Sequence, residues 1–428
     1  MHILFSRRLS ARLPRSIAVI LASLAVLGSA QAGTIAITNA TIYTADKAGV
    51  LTNATLIIRD ERIIAIGKNV VIPADAQRLD ATGKILTPGM FAPSSQFGVV
   101  EVAGVTESDD HRNGNSRYSA ALDMADAFNP NSVHIPIARI DGITRAMVVP
   151  EAKKGGSAIS GQGLVVSLGT GPTWLVKGQA AMFVEFGEQG AGLSGNRASA
   201  VLALREAFEE VRNAGKNLPD PHKDAVLTQL DIAALRPVLA GKTPLVMSAN
   251  RASDITAALA LAEQYKFKLI ISGGAEAWQV ASQLARRKVP VIMDPLNRLP
   301  RHFESLGSRA DNAILLLKAG VSVAFNEDGD SIQSTRNLRQ LAGNAVNAGV
   351  DPQLALKAIT LVPAQLYGLD HDLGSLAVGK LADVVIWNGD PFELQSFPDA
   401  VFIAGALMPT SNRQTALRDR YMRILKLK

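Results

Sequence analysis

The chain contains no cysteine in its 428 residues. That absence excludes disulfides, thiol nucleophiles, thiolate metal sites and lipoprotein processing. Histidine is scarce as well, with six in all. Those beyond residue 32 are His111, His134, His222, His302 and His371, and none falls in a His-x-His or His-x-x-x-His arrangement. Without such spacing an all-protein zinc centre is not expected. No Gly-x-Gly-x-x-Gly turn follows a strand-like run, which argues against dinucleotide binding. Gly155-Gly156, directly after Lys153-Lys154, lacks the Lys-Ser or Lys-Thr pair of a phosphate-binding loop and reads as an ordinary loop.

A large excess of charge of one sign is also missing. The formal net charge is +6, but four arginines, Arg7, Arg8, Arg12 and Arg15, stand ahead of an apolar run, Ile17 to Leu27, that ends in Ala30-Gln31-Ala32. This is the layout of a secretory signal peptide, with cleavage expected after Ala32 and a periplasmic or secreted destination. The apolar run is shorter than the roughly 20 residues a lasting membrane anchor needs. Its four arginines and lack of acids leave only +2 on the rest of the chain. A nucleic-acid partner is therefore not indicated.

What is present has two textures. The front alternates apolar and polar residues in short runs, Thr34-Ile35-Ala36-Ile37-Thr38, Thr55 to Ile58 and Ile63 to Gly67, and the far end returns to this at Ala382 to Trp387 and Ala400 to Gly405. Period-two alternation predicts strands, and the two ends predict one composite β-sandwich, 33–86 with 371–408. Between them, over 87–370, strand-like runs alternate with helical ones: Leu245-Val246-Met247, a helix over 252–265, Leu269-Ile270-Ile271, a helix over 275–287, Val289 to Met293, a helix over 312–319, and Val321 to Phe325. Such alternation predicts a parallel β/α arrangement. Periodicity alone leaves an open sheet and a closed barrel equally available. The segment 196–214 has Val201, Leu204 and Phe208 on one side and reads as a packed helix. The tail, 409–428, reads as a basic helix packed on the barrel.

Residue strings along the chain resemble the amidohydrolase superfamily, in particular its imidazolonepropionase-like branch. They are Arg62-Ile63-Ile64-Ala65-Ile66-Gly67, Asp80 to Lys84, Thr87-Pro88-Gly89, Asp141-Gly142-Ile143-Thr144, Ile159 to Gly163, Ala358 to Ala364, and Gly374 to Trp387. The resemblance implies a (β/α)8 barrel carrying the composite sandwich, with any site at the carboxyl ends of the strands. It also implies zinc or another divalent ion that activates water and polarises a scissile carbonyl.

The positions that would hold that ion are altered. The family's His-x-His after the first strand is matched by Ser94 and Gln96, with Ala92-Pro93 before them. Its His-Ala-His-Arg after the fifth strand is Ser248-Ala249-Asn250-Arg251. After the sixth, its His is replaced by Gly273, ahead of Gly274-Ala275-Glu276-Ala277. The eighth-strand Asp is retained as Asp328, beside Glu327. Hydroxyl and amide groups are poor substitutes for imidazole, so no resident metal or other cofactor is expected. Asp109-Asp110-His111 reads as part of a solvated loop running to Arg117, and His134 as a hydrogen-bonded histidine.

Two functions follow. In the first, an exported amidohydrolase relative has given up metal-dependent hydrolysis. It binds a small molecule with Ser94, Gln96, Ser248, Asn250, Arg251, Gly273 and Glu327, or pairs with a second copy or an active relative. In the second, it hydrolyses carbon-nitrogen bonds of cyclic amides or small peptides, with Asp328 as the catalytic carboxylate. Fold alone does not choose between them.

Overall fold

The computed structural model describes residues 33–214, 226–327 and 334–425. The expected signal segment, His222 and Asp328 lie outside the described residues.

The two β-rich ends meet in a single eight-stranded sheet. The front contributes Thr34–Tyr43, Val50–Arg59, Arg62–Gly67, Gln77–Asp80 and Ile85–Pro88, and the back Val384–Trp387, Pro398–Ile403 and Ala406–Leu407. The seam is the antiparallel pairing of Ile85–Pro88 with Val384–Trp387, in which Leu86 faces Ile386. Alternation places Ile37, Ile42, Leu56, Ile58, Val384, Ile386 and Phe402 on one buried side, each contributing roughly 1.5–3 kcal/mol of hydrophobic stabilisation.

The middle forms a second eight-stranded sheet, wound as a nearly closed barrel. In chain order its strands are Met90–Ser95, Ile143–Val148, Ile159–Ser167, Leu175–Glu185, Leu245–Ala249, Leu269–Gly273, Val291–Met293 and Val323–Phe325, each hydrogen-bonded to the next. Every strand sends a residue into a shared interior: Phe91, Met147, Val165, Phe183, Val246, Ile270, Ile292 and Ala324. Their neighbours in sequence, such as Val148, Val166, Val184, Met247 and Ile271, face the surrounding helices. Near-continuous apolar strands are the signature of burial on both faces.

One strand departs from the expected parallel pattern. The third, Ile159–Ser167, runs antiparallel to both the second and the fourth. The chain between these strands holds no α-helix, and a short connection can only turn back on itself, whereas a parallel neighbour needs a crossover of a dozen or more residues. The other seven share one direction.

Gly89 shows how tightly the first strand is seated. A Cβ there would lie 2.2 Å from Cγ2 of Thr144, so only glycine admits this approach. The helices over 252–265 and 312–318 match expectation. The run over 275–287 divides into a 3-10 turn, Ala277–Val280, and an α-helix, Ala281–Arg287. Trp278 accounts for the division, since its backbone N–H donates to Asn312 Oδ1 at 3.1 Å and its indole N–H to the Gly307 carbonyl at 2.9 Å.

Candidate functional site

Because seven strands point the same way, their carboxyl ends converge on one mouth, joined by the starting end of the reversed third strand. The mouth encloses a cup of about 650 Å³ lined by Ser94, Gln96, Glu185, Ser248, Asn250 and Glu327, among others.

At the fourth strand's end the apolar run Ala180 to Val184 finishes in Glu185, which is buried. Its carboxylate accepts from Ser248 Oγ at 2.9 Å and from Ser160 Oγ at 3.3 Å. Burial, opposed by the Ser248 hydrogen bond and reinforced by the charge of Glu151, raises its pKa to about 7. Ser248 Oγ in turn accepts from the Phe186 backbone N–H at 2.9 Å, so both its hydrogen-bonding roles are filled.

His111, which also lines the cup, is buried rather than part of a solvated loop, which corrects the sequence reading. Its Nδ1 lies 2.5 Å from Asp109 Oδ1, and its Nε2 lies 3.0 Å from Gln96 Nε2 and 3.2 Å from Glu151 Oε2. Burial pushes the Glu151 carboxyl upward, but the hydrogen bond with His111 and the charge of Arg112 outweigh it, leaving Glu151 below the ordinary glutamate value. Arg112 Nε donates to the same oxygen at 3.2 Å.

The third cluster centres on Asn250. Its Nδ2 donates to Glu304 Oε1 at 2.9 Å, and its Oδ1 accepts from the Ala275 backbone N–H at 3.2 Å. Glu304 also accepts from the Glu188 N–H at 2.6 Å, with Arg197 Nη2 at 3.6 Å. Gly273 shapes this cluster without lining the cup. It holds φ +99°, and a Cβ there would stand 2.5 Å from Asn250 Oδ1.

Of the residues singled out from sequence, Ser94, Gln96, Ser248, Asn250 and Glu327 come together in the cup. Arg251 does not: it is exposed and stands at the start of the helix over 252–265. His134 donates through Nε2 to the Glu101 carbonyl, 2.9 Å away, since a carbonyl only accepts. The sequence reading passed over Glu185 and His111. An acid closing an apolar strand was the available signal for Glu185. For His111 there was none, because its partners Gln96 and Glu151 lie 15 and 40 positions away.

The donors at the strand ends do not fit a divalent ion. Hydroxyl and amide groups stand where imidazoles would be needed, and among the described residues no group of three or more His, Asp or Glu is placed to hold a metal.

A barrel with its cup at the carboxyl ends and a sheet assembled from both chain ends defines a class, the (β/α)8-type barrels that carry a composite β domain. A model of the amidohydrolase family matches residues 251–408. The crystal structure of an amidohydrolase from Thermotoga maritima MSB8 superposes with a TM-score of 0.78 at 28% identity, covering 89% of this chain and 100% of that one. A prolidase crystallised with N-methylphosphonate-L-proline shares the fold at a TM-score of 0.54 and 16% identity, over 88% of this chain and 99% of its own. Amidohydrolase tasK of Hapsidospora irregularis is 21% identical over 371 residues, 78% of this chain. This chain spans 37% of the length of tasK, and its match to adenine deaminase 3 of Rhizobium meliloti (strain 1021) covers 13% of that protein. Over residues 251–408 the chain matches the amidohydrolase family, and over 89% of its length it shares the fold of the Thermotoga amidohydrolase.

Proposed function

We propose that this is an exported amidohydrolase relative whose cup recognises a small molecule instead of hydrolysing one through a bound metal. The observation that carries the reading is the commitment of Ser248 to Glu185 and of Asn250 to Glu304. Two side chains at former ligand positions are thereby tied into the wall of the cup by hydrogen bonds that a metal would have to displace. The carboxylates Glu151, Glu188, Glu304 and Glu327 around the cavity favour a ligand that presents N–H donors, such as a cyclic amide, an imide or an amine. A second copy of the chain or an active relative is the protein partner this reading accommodates.

Protein purified without chelator is expected to carry far less than one equivalent of zinc or manganese by plasma emission. Cyclic imides and blocked dipeptides are expected to raise its Tm without being turned over. Stoichiometric metal that resists dialysis would overturn the reading.

One observation favours hydrolysis without metal: Glu185, with its pKa raised to about 7, is suited to exchange a proton with a substrate near neutral pH. Imide hydrolysis that survives exhaustive chelation and vanishes in Glu185→Gln would select this second reading. Loss in Asp328→Asn alone would place the chemistry at the eighth strand instead.

A further inference from the structure

A second cavity, of about 670 Å³, opens at the opposite end of the barrel, where the strands begin. Its size falls within the range of small-molecule sites, roughly 300–1,000 Å³. Five cations line it: Lys177, Lys242, Lys268, Arg287 and Lys288. They come from the entrances of four successive strands. Lys177 lies within Leu175–Glu185, Lys242 and Lys268 shortly precede Leu245–Ala249 and Leu269–Gly273, and Arg287-Lys288 precede Val291–Met293. Separation along the chain hides the cluster from any reading of charge runs, and the small net charge of the whole chain hides it again.

Arg287 is neutralised by Glu263 at 2.9 Å. None of the four lysines forms an ion pair among the described residues. Lys177 is fixed in place by donating to the Tyr367 carbonyl at 2.7 Å. Burial, and after it the charge of Lys268, holds Lys177 below the ordinary lysine value. Two ammonium groups therefore repel each other across a common space. The rest of the wall is mainly apolar, including Leu259, Phe267, Leu269, Val362 and Leu366, with Glu263, Ser322 and Gln365 as its polar members.

Helix dipoles explain part of this arrangement. Lys242, Lys268 and Lys288 each follow the carboxyl end of a helix, where a cation is favourable. That account does not reach Lys177, which sits in a strand, nor the cavity with its mainly apolar wall. We propose that this basal cavity binds an amphipathic organic anion, an oxyanion on an apolar body, with Lys177 and Lys268 clasping the charged group and the leucines and Phe267 covering the rest.

The test is isothermal titration of the full chain with 1-naphthyl phosphate and with dodecanoate, using neutral 1-naphthol for comparison. At least one of the two anions is expected to bind one site per chain, to weaken as salt rises, and to bind well ahead of the naphthol. Lys268→Gln is expected to weaken the anion about 10-fold or more, a difference of about 1.4 kcal/mol, and adding Lys177→Met to weaken it further. Lys318→Gln, at the end of the helix over 312–318 and outside the cavity, is expected to change nothing. Should Lys177→Met fail to fold, exposed Lys268 and Lys242 carry the test alone. No binding of either anion below about 1 mM, or undiminished binding by Lys268→Gln and Lys242→Gln, would overturn the proposal.

Discussion

Glu185 concentrates the chemistry of the cup in one side chain. Its pKa is about 7 in the folded protein against an ordinary value of 4.5, so the folded state holds a proton that the unfolded chain releases. A carboxyl raised in this way contributes stability that is complete below about pH 4.5 and is lost as pH climbs through 7. The span corresponds to about 3 kcal/mol at most. Urea unfolding at pH 5 and pH 8 checks it. The wild type is expected to lose stability over this interval relative to Glu185→Gln, whose amide retains an acceptor for Ser248. Parallel pH dependence in the two proteins would refute the assignment. Glu185 and His111 also show the limit of reading residue by residue. The hydroxyls and amides at the former metal positions were legible because a motif supplied their register. Asp109-Asp110-His111 carried only the composition of a solvated loop, and burial against Gln96 and Glu151 reversed its meaning.

Among the elements, helices and strands with strong periodicity were legible nearly to the residue, as over 252–265 and in Leu269–Gly273. Direction within the sheet was not. The reversed third strand has the same apolar texture as its parallel neighbours, because burial on both faces imposes one composition whichever way a strand runs. The tail was misjudged for a related reason. Its helix, Arg413–Ile424, buries none of its residues, and Leu417, Tyr421 and Ile424 stay exposed. Its visible attachment is Arg336 Nη1 donating to Gln414 Oε1 at 3.1 Å. Amphipathic spacing declares a face but not what covers it. Removal of residues 416–428 is therefore expected to change unfolding free energy by less than about 0.5 kcal/mol, as surface changes do. A larger loss in denaturant titration would mean that the helix is docked.

For the molecule as a whole, the barrel and the composite sheet are joined by a buried ion pair. Arg145 on the second barrel strand donates to Asp383 through Nε at 2.6 Å and Nη2 at 2.9 Å, with both side chains 6% exposed. Asp383 also accepts from the Ala404 N–H at 2.8 Å. Asp383→Ala would strand the guanidinium in the interface, and breaking such a pair costs about 3–5 kcal/mol. A drop of this size in chemical denaturation is expected, and a variant within 1 kcal/mol of wild type, on the order of a surface change, would show that the two parts are held together by other means.

The amino-acid sequence alone determined the class of fold, the pairing of its two ends and the substitution of the ligand positions, since these depend on local periodicity and on motif register. Tertiary structure decided what those positions do. Ser248 and Asn250 became wall groups by reaching Glu185 and Glu304, His111 became part of the cup, and lysines spread over more than a hundred residues came to line one cavity. Each outcome rests on burial and on hydrogen bonds between residues far apart in the chain, which no local pattern encodes.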